Sequence, residues 1–481
     1  MNEKITTDFF ILFKSSVVLY FMFKSDTYIK RRKELKSIIG SGIILFPGNE
    51  ESSMNFADNT YHFRQDSSFL YYFGLNQPSL TGLIDIDSDS DYIFGDDLSI
   101  DHIVWMGIQP TIKEQSETVG VYETGTMREV HSFIDSALKQ KRTIHYLPPY
   151  RPENQIKLRN FFNIDFDDID AGASVDLIKA VVSMREIKST EELIEIEKAV
   201  NTSVDMHIAA MKMVAPGILE SHVAARVHEI ALSPGGHLSF PVIATIHGET
   251  LHNHFHGNQL KEGQLFLLDC GAETAMGYAG DLSSTIPVSR DFTSRQREIY
   301  DLTLLAHNTA VSSLKPGKSF IDVYFDTARV IVNGLKDLDL MKGDTEEAVQ
   351  LGAHAMFFPC GLGHQMGLDV HDMEDLGEEY VGYDGKAKSK QFGLKSLRLG
   401  KTLKSGMVLT IEPGIYFIPT LIDLWKSEKK FRDFINYEKL ETYRDFGGIR
   451  NEENFLIIDS SYSLIGKKKP KTIEEIGNIR E

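Results

Sequence analysis

The sequence predicts an α/β (α+β) protein of two domains, and three observations carry that expectation. At 481 residues the chain is longer than one ordinary domain of ~100–200 residues. Through residues 22–173, short apolar runs rich in β-formers alternate with helix-like stretches. From residue 174 onward, longer capped helices frame a few short strands, and carboxylates and imidazoles stand at the ends of those strands or in the turns beside them.

Composition narrows the function classes. With 42% hydrophobic and 25% charged residues the chain can bury a large core, and nothing in it is repetitive or biased enough for a solenoid or a disordered tract. A net charge of −18 argues against nonspecific binding to nucleic acid or to an anionic membrane, both of which are themselves negative. Only Cys270 and Cys360 occur, so no disulfide framework is expected and a reducing, cytoplasmic location is the natural one.

Residues 9–23, FFILFKSSVVLYFMF, are apolar but interrupted by Lys14, and they fall short of the ~20 apolar residues of a membrane span. Glu3 and Asp8 dilute the positive start of a secretory leader, and no small-residue cleavage site follows. Residues 1–21 are therefore expected to be an extension upstream of a start at Met22, from which a helix begins, capped near Ser25 or Asp26.

In the first domain a charged helix over 27–39 leads to a strand at 42–45 and a polar loop over 48–59. Further strands are predicted at 82–86, 91–94 and 143–147, and helices at 126–139 and 154–162. Gly and Asp gather at 87–91 and 94–97, where side-chain capping and positive φ suit turns. No metal-type or nucleophile-type cluster occurs here. Arg64, flanked by Phe63 and Phe69, suits a substrate carboxylate, a neighbouring subunit or, more simply, a structural ion pair.

The second domain opens with a helix over 190–214, acidic at its start and stopped by Pro216-Gly217. A helix at 220–232 and a strand at 240–246 precede His252, His254 and His256, which alternate along one face of an extended segment. That pattern fits a three-His zinc site or a solvent-facing edge. Residues 265–268 read as a buried strand ending at Asp269, and the run 277–280 as a tight second strand delivering Asp281. Two carboxylates on one hairpin repel unless a cation sits between them; alternatively, each merely ends a strand and faces water.

A helix over 293–314 ends at Lys315-Pro316-Gly317. Gly317-Lys318-Ser319 fails as a phosphate loop because Ser312 stands where its first glycine belongs. The glycine-rich frame 357–372 holds His364 and His371, with Met366 breaking any dinucleotide fingerprint. Glu412 and Glu452 add two more strand-end acids.

In the frames LLDCGAE, GYAGD, GLGHQMGLDVHD, TIEPGIY and GIRNEEN, the residues Asp269, Asp281, His364, Glu412 and Glu452 resemble the five metal ligands of the pita-bread metallopeptidases. Within that superfamily the chain is similar to the Xaa-Pro aminopeptidase and prolidase branch. PGNEE, FRQDSSFLYYFGL and FGDD resemble the creatinase-type amino-terminal domain of those enzymes. The resemblance implies a creatinase-type α/β domain over 22–173 and a pita-bread catalytic domain over 174–481. It departs from the usual frame in three places. The aspartates stand twelve positions apart, one more than usual; Cys360 replaces a common histidine; and Asn451 replaces an apolar residue.

The resemblance further implies two divalent metal ions, with Asp281 and Glu452 bridging, Asp269 on one ion, and His364 with Glu412 on the other. An oxygen-rich donor set favours Mn²⁺. His252, His371 and Arg450 resemble the family's substrate-facing and proton-handling residues, with an imidazole against the oxyanion and Glu412 as proton shuttle. The implied activity is release of the first residue from a peptide with proline at the second position. Prolidase, acting on Xaa-Pro dipeptides, is the nearest alternative, because residues 414–448 resemble its longer insertion. Non-catalytic binding relatives of the same fold lose the ligands that stand here. Relatives of this kind are dimers or tetramers, so a homo-oligomer is expected.

Overall fold

The computed structural model describes residues 22–480, and the expectation for residues 1–21 lies outside them. The chain divides into two compact units at Met184/Arg185. The division expected at 173/174 falls just ahead of the helix Val175–Arg185, whose apolar residues Leu177, Val181 and Met184 are buried.

The first unit is a five-stranded mixed sheet. Ile43–Pro47 lies between an antiparallel neighbour, Thr81–Asp85, and a parallel one, Ile144–Tyr146; Ser90–Phe94 and Glu123–Gly125 continue the other side. Ile43, Leu45, Leu83 and Phe94 join Val130, Ile134 and Leu158 from the covering helices in one core. The first helix spans Ser25–Ile39, preceded by Lys24 and without the side-chain cap expected at Ser25 or Asp26. Its fully buried Arg32 fastens it to the sheet, donating to Asp91 and to the carbonyls of Tyr72, Val119 and Gly120. Arg64 donates to the carbonyl of Gln65 at 2.6 Å.

The second unit contains two antiparallel helix pairs, Thr190–Met213 with Glu220–Leu232 and Ser294–Ser312 with Phe320–Asp337. Each pair is joined through a Pro-Gly turn whose glycine, Gly217 or Gly317, has a φ near +90° or +82° that other residues rarely adopt. Against them lie two three-stranded sheets, Leu282–Pro287/Leu265–Cys270/Ile243–Thr245 and Val408–Ile411/Glu453–Ile458/Ser461–Leu464, with the pair Gly414–Tyr416/Gly448–Arg450. Phe266, Leu268, Ile286, Leu409, Ile411 and Phe455 belong to the same core as the helices. The sheets are stitched at their edges. The Glu452 amide donates to the Ser283 carbonyl at 3.2 Å, and the Thr285 hydroxyl bonds both the amide and the carbonyl of Arg450.

Three sequence expectations change here. The strand predicted at 240–246 is reduced to Ile243–Thr245, because Pro241 lacks the N–H a ladder requires. The run 277–280 makes a single bridge, Ala279 to Glu273, and the strand starts after Asp281, at Leu282. Asp269 lies inside the strand Leu265–Cys270 and does not end it. The segment between the aspartates contains a tight turn, closed by Thr274 and Tyr278 and relieved by Gly277 at φ +82°.

Candidate metal centre

The hairpin register explains why the two aspartates face one another. Ser283 pairs with Asp269, so Asp281, two residues earlier, projects on the same face of the sheet. A side chain at Gly271, between them, would collide with the Gly280 carbonyl. Asn454 from the other sheet then fixes the backbone of Asp281 by accepting from its amide and donating to its carbonyl. His364 is held at its backbone by Thr410 and through Nδ1 by the Gln365 carbonyl, leaving Nε2 toward Asp281 (3.3 Å) and Glu412 (3.6 Å).

Asp281, His364 and Glu452 offer ligand atoms that all lie within 4.8 Å of one another, and all three are buried. Asp269 and Glu412 line the same cleft. Burial first, and then the charges of Asp281, Glu412 and Asp269, raise Glu452 well above the usual carboxylate range. Burial also raises Glu412 and Asp269, in spite of His364 and Arg450 for the one and Arg450 for the other. On His364 burial opposes charge, yet the hydrogen bond to Asp281 and the nearby Glu412 outweigh it and raise the imidazole. Asp269 Oδ1, Asp281 Oδ1 and Glu452 Oε1 are buried without a hydrogen-bond partner. Orphaned buried carboxylate oxygens beside an imidazole form the donor set that a hard or borderline divalent cation satisfies, so the residues present fit the implied metal.

The side chains behind these groups are closely bonded to one another. Arg450 places Nε on Ser283 (2.9 Å), Nη1 on Tyr416 (2.8 Å) and Nη2 on Asp269 (2.5 Å), and Ser283 in turn donates to Glu452 (2.9 Å). Arg450, expected among the substrate-facing residues, lines the cleft and through these bonds also aims Asp269.

The cleft, about 570 Å³, is lined by His252 and His254 on the turn after Ile243–Thr245, by His371, and by the apolar Phe240, Leu251 and Phe392. The three histidines of residues 252–256 do not converge: His256 bonds the Val242 carbonyl, and no group of the three could hold a metal among the described residues. Sequence reasoning missed Arg398, which also lines the cleft and pairs with Glu374. It lies fourteen positions before Glu412 in a segment with no local pattern, so only the fold brings it in.

Fold and site together define a metallohydrolase of the pita-bread architecture. The chain belongs to metallopeptidase family M24, whose model matches residues 195–459, and an aminopeptidase P N-terminal domain matches residues 28–145. It is 28% identical to a Homo sapiens Xaa-Pro dipeptidase over 466 residues, covering 93% of this chain and 90% of the relative. It is 30% identical to the Escherichia coli Xaa-Pro aminopeptidase over 454 residues, covering 91% and 93%. A solved Escherichia coli aminopeptidase P variant in complex with substrate superposes with a TM-score of 0.79 at 27% identity, over 96% of this chain and 99% of that one. A zinc-substituted form of that enzyme in complex with product gives 0.77 at 26% identity, with the same coverage.

Proposed function

We propose that this metallopeptidase releases the N-terminal residue from peptides with proline at the second position. The observation that carries the reading is the buried Asp281, His364 and Glu452 cluster, opening on a cleft that His252, His371 and Glu412 line. Asp269, Asp281, His364, Glu412 and Glu452 would hold two divalent ions, and Mn²⁺ suits their oxygen-dominated donors. When bound, such ions polarise a carbonyl and make water a stronger acid. Every other part of the reaction falls to the chain.

Glu412 has the most open side chain of the cluster, 21% exposed against 4% for His364 and 7% for Asp281. It is therefore placed to take a proton from the attacking water and deliver it to the departing proline nitrogen. The imidazoles of His252 and His371 flank the cleft where the tetrahedral oxyanion develops, and desolvation there makes a donor worth the most. Burial first, then Arg450 and Arg398, lowers the pKa of His252, so it acts as a neutral hydrogen-bonding group. Phe240, Leu251 and Phe392 supply apolar walls that suit a proline ring and exclude water.

Turnover of Gly-Pro, Arg-Pro-Pro and a proline-free control, measured after chelation and after return of Mn²⁺, tests the proposal. Restored cleavage before proline supports it. Equal cleavage of the control, or full activity after exhaustive chelation, overturns it.

One observation favours the dipeptidase alternative. Arg398 presents a guanidinium at the cleft, and a planar cation there suits the terminal carboxylate of a Xaa-Pro dipeptide. If that reading holds, Arg398→Ala raises the KM for Gly-Pro by ~10–100-fold, the ~1.5–3 kcal/mol of a charged hydrogen bond, and leaves the tripeptide little changed. An equal effect on both substrates removes the dipeptidase reading.

A homo-oligomer, dimer or tetramer, and a cytoplasmic location remain parts of the proposal. The helix Ile100–Met106 leaves Ile100, Val104, Trp105 and Met106 more than half exposed, apolar surface of the kind that subunit contacts cover. Light scattering across a concentration series should show a species above 54.3 kDa; a constant monomer mass refutes the oligomer. Both cysteines are free thiols, as a reducing compartment requires, and no described helix is long and apolar enough to cross a membrane. Fractionation of cells against the native protein checks the location.

A further inference from the structure

Asn451, one of the three departures from the family's usual frame, is buried directly beside the candidate ligand Glu452. What it meets there is a lysine. In the run Lys467-Lys468-Lys469 the first two side chains are exposed and pair at the surface with Asp205 and Glu475. The third is turned inward and is 1% exposed. Lys469 Nζ donates to the Ser283 carbonyl at 2.6 Å, to the Ser284 hydroxyl at 3.0 Å and to Asn451 Oδ1 at 3.4 Å. All three acceptors are neutral oxygens, and they belong to two segments. Ser283 and Ser284 lie in the strand that follows Asp281, whereas Asn451 joins the strand Gly448–Arg450 to Glu452. Ser283 already meets Glu452 twice, its carbonyl accepting from the Glu452 amide at 3.2 Å and its hydroxyl donating to the carboxylate at 2.9 Å. Lys469 therefore sits across the seam on which Asp281 and Glu452 approach each other. The segment that delivers it is tied down on both sides. The Lys467 amide donates to Asn201 Oδ1 at 2.7 Å, and Lys471 accepts from the Tyr300 hydroxyl at its carbonyl (2.8 Å) and reaches Glu453 through Nζ (2.5 Å).

We propose that Lys469 and Asn451 form a polar clamp, with Lys469 as a positioning residue that fixes Glu452 against Asp281 from behind the metal centre. One donor bonded to both segments limits how far the Asp281 hairpin and Glu452 can separate or slide, because hydrogen bonds are directional. The clamp also accounts for Asn451. An apolar side chain there would leave Nζ facing hydrocarbon on that side, and an apolar side chain at position 469 would leave the Asn451 oxygen unpaired in the interior. Each member is tolerated because of the other. The C-terminal segment, seventeen positions past Glu452, thus becomes part of the centre without contributing a ligand, acting through Ser283 and Asn451.

The inference rests on the reading of Asp281 and Glu452 as metal ligands, and not on peptide hydrolysis. It is tested on the full chain with Lys469→Met, Asn451→Leu and the double variant. In denaturant unfolding of the metal-free proteins the two losses should not add. The double variant sets an apolar side chain against another, so its unfolding constant should be at least ~10-fold smaller than the single losses combined predict. In Zn²⁺ titrations of the chelated proteins, Lys469→Met should bind ~10–100-fold more weakly than wild type, the usual cost of a lost support, and the double variant should recover most of that loss. The direction is diagnostic. Removing a cation behind a carboxylate cluster favours metal by charge alone, so weaker binding reports a displaced ligand. Unchanged or tighter Zn²⁺ binding by Lys469→Met, or additive losses in the double variant, overturns the proposal. Where Lys469→Met alone does not fold, the double variant decides: a folded chain with near wild-type Zn²⁺ binding supports the clamp, and an unfolded one overturns it. A clamp that behaves as described in a chain that cleaves no Xaa-Pro peptide would sink the functional reading and leave this inference standing.

Discussion

Asp281→Ala is expected to lose bound metal and to lower Xaa-Pro hydrolysis by ~10³-fold or more, since the ions account for several kcal/mol of transition-state stabilisation. Asp281 lies 3.3 Å from His364 and offers a ligand atom within 4.8 Å of one on Glu452, and its Oδ1 has no hydrogen-bond partner. No neighbour can replace it, because Asp269 is engaged by Arg450 and Asn454 fixes the backbone at position 281. The same substitution should act in the opposite sense on the metal-free protein. Four carboxylates crowd this pocket, three of them buried, and deleting one relieves repulsion that contributes to the raised pKa values of Glu452, Glu412 and Asp269. The chelated variant should therefore melt no lower than chelated wild type. Elemental analysis, turnover and paired melting curves read all three effects; full metal occupancy with full activity would remove Asp281 from the centre.

Asp372→Ala should cost ~3–5 kcal/mol of folding stability, the range for stripping the partner from a buried charge. Its carboxylate accepts from Lys188 Nζ at 2.6 Å and from Arg185 Nη2 at 2.7 Å, and all three side chains are at most 3% exposed. Burial raises the Asp372 carboxyl, but the two cations more than compensate and hold it below the usual range, the signature of a pair that depends on both members. Asp369 would remain for Arg185 at 3.0 Å, while Lys188 would retain only the Arg185 carbonyl. Because Asp372 follows His371 directly, activity should fall together with stability. Denaturant unfolding checks the first effect; a loss under ~1 kcal/mol would mean that water or a shifted loop rescues the cations.

The helices were legible because each carries its own limits. Glu220–Leu232 appears where expected, and Thr190–Met213 and Ser294–Ser312 differ only at their ends, where capping boxes at Ser189 and Thr293 and the Pro-Gly turns act over a few residues. The second strand of the aspartate hairpin was misplaced. Its boundary depends on a close approach of Gly271 to Gly280 and on hydrogen bonds to Asn454, far along the chain. Pro241 is the exception, a local signal against a strand that the apolar run around it obscured.

The five expected ligands were recognisable because short motifs must surround them: glycines for close approach, strand residues for rigidity, and a carboxylate or imidazole at the end. Their convergence was not. Asp281, His364 and Glu452 come together because two sheets join edge to edge through Ser283, Thr285 and Arg450, and that register is a long-range property. Arg450 illustrates the limit, since its motif marked it as important while only the structure shows its hydrogen bonds to Asp269, Ser283 and Tyr416.

By itself, then, the amino-acid sequence determined the family, the two-part organisation and the chemical identity of the residues around the centre, because residue type, spacing and capping act within a few positions of chain. Tertiary structure alone decided which ligand atoms meet, which oxygens are left without partners and which cations stand behind or in front of them. Those outcomes are set by strand register and by desolvation, and both depend on what packs against a residue and not on what precedes it.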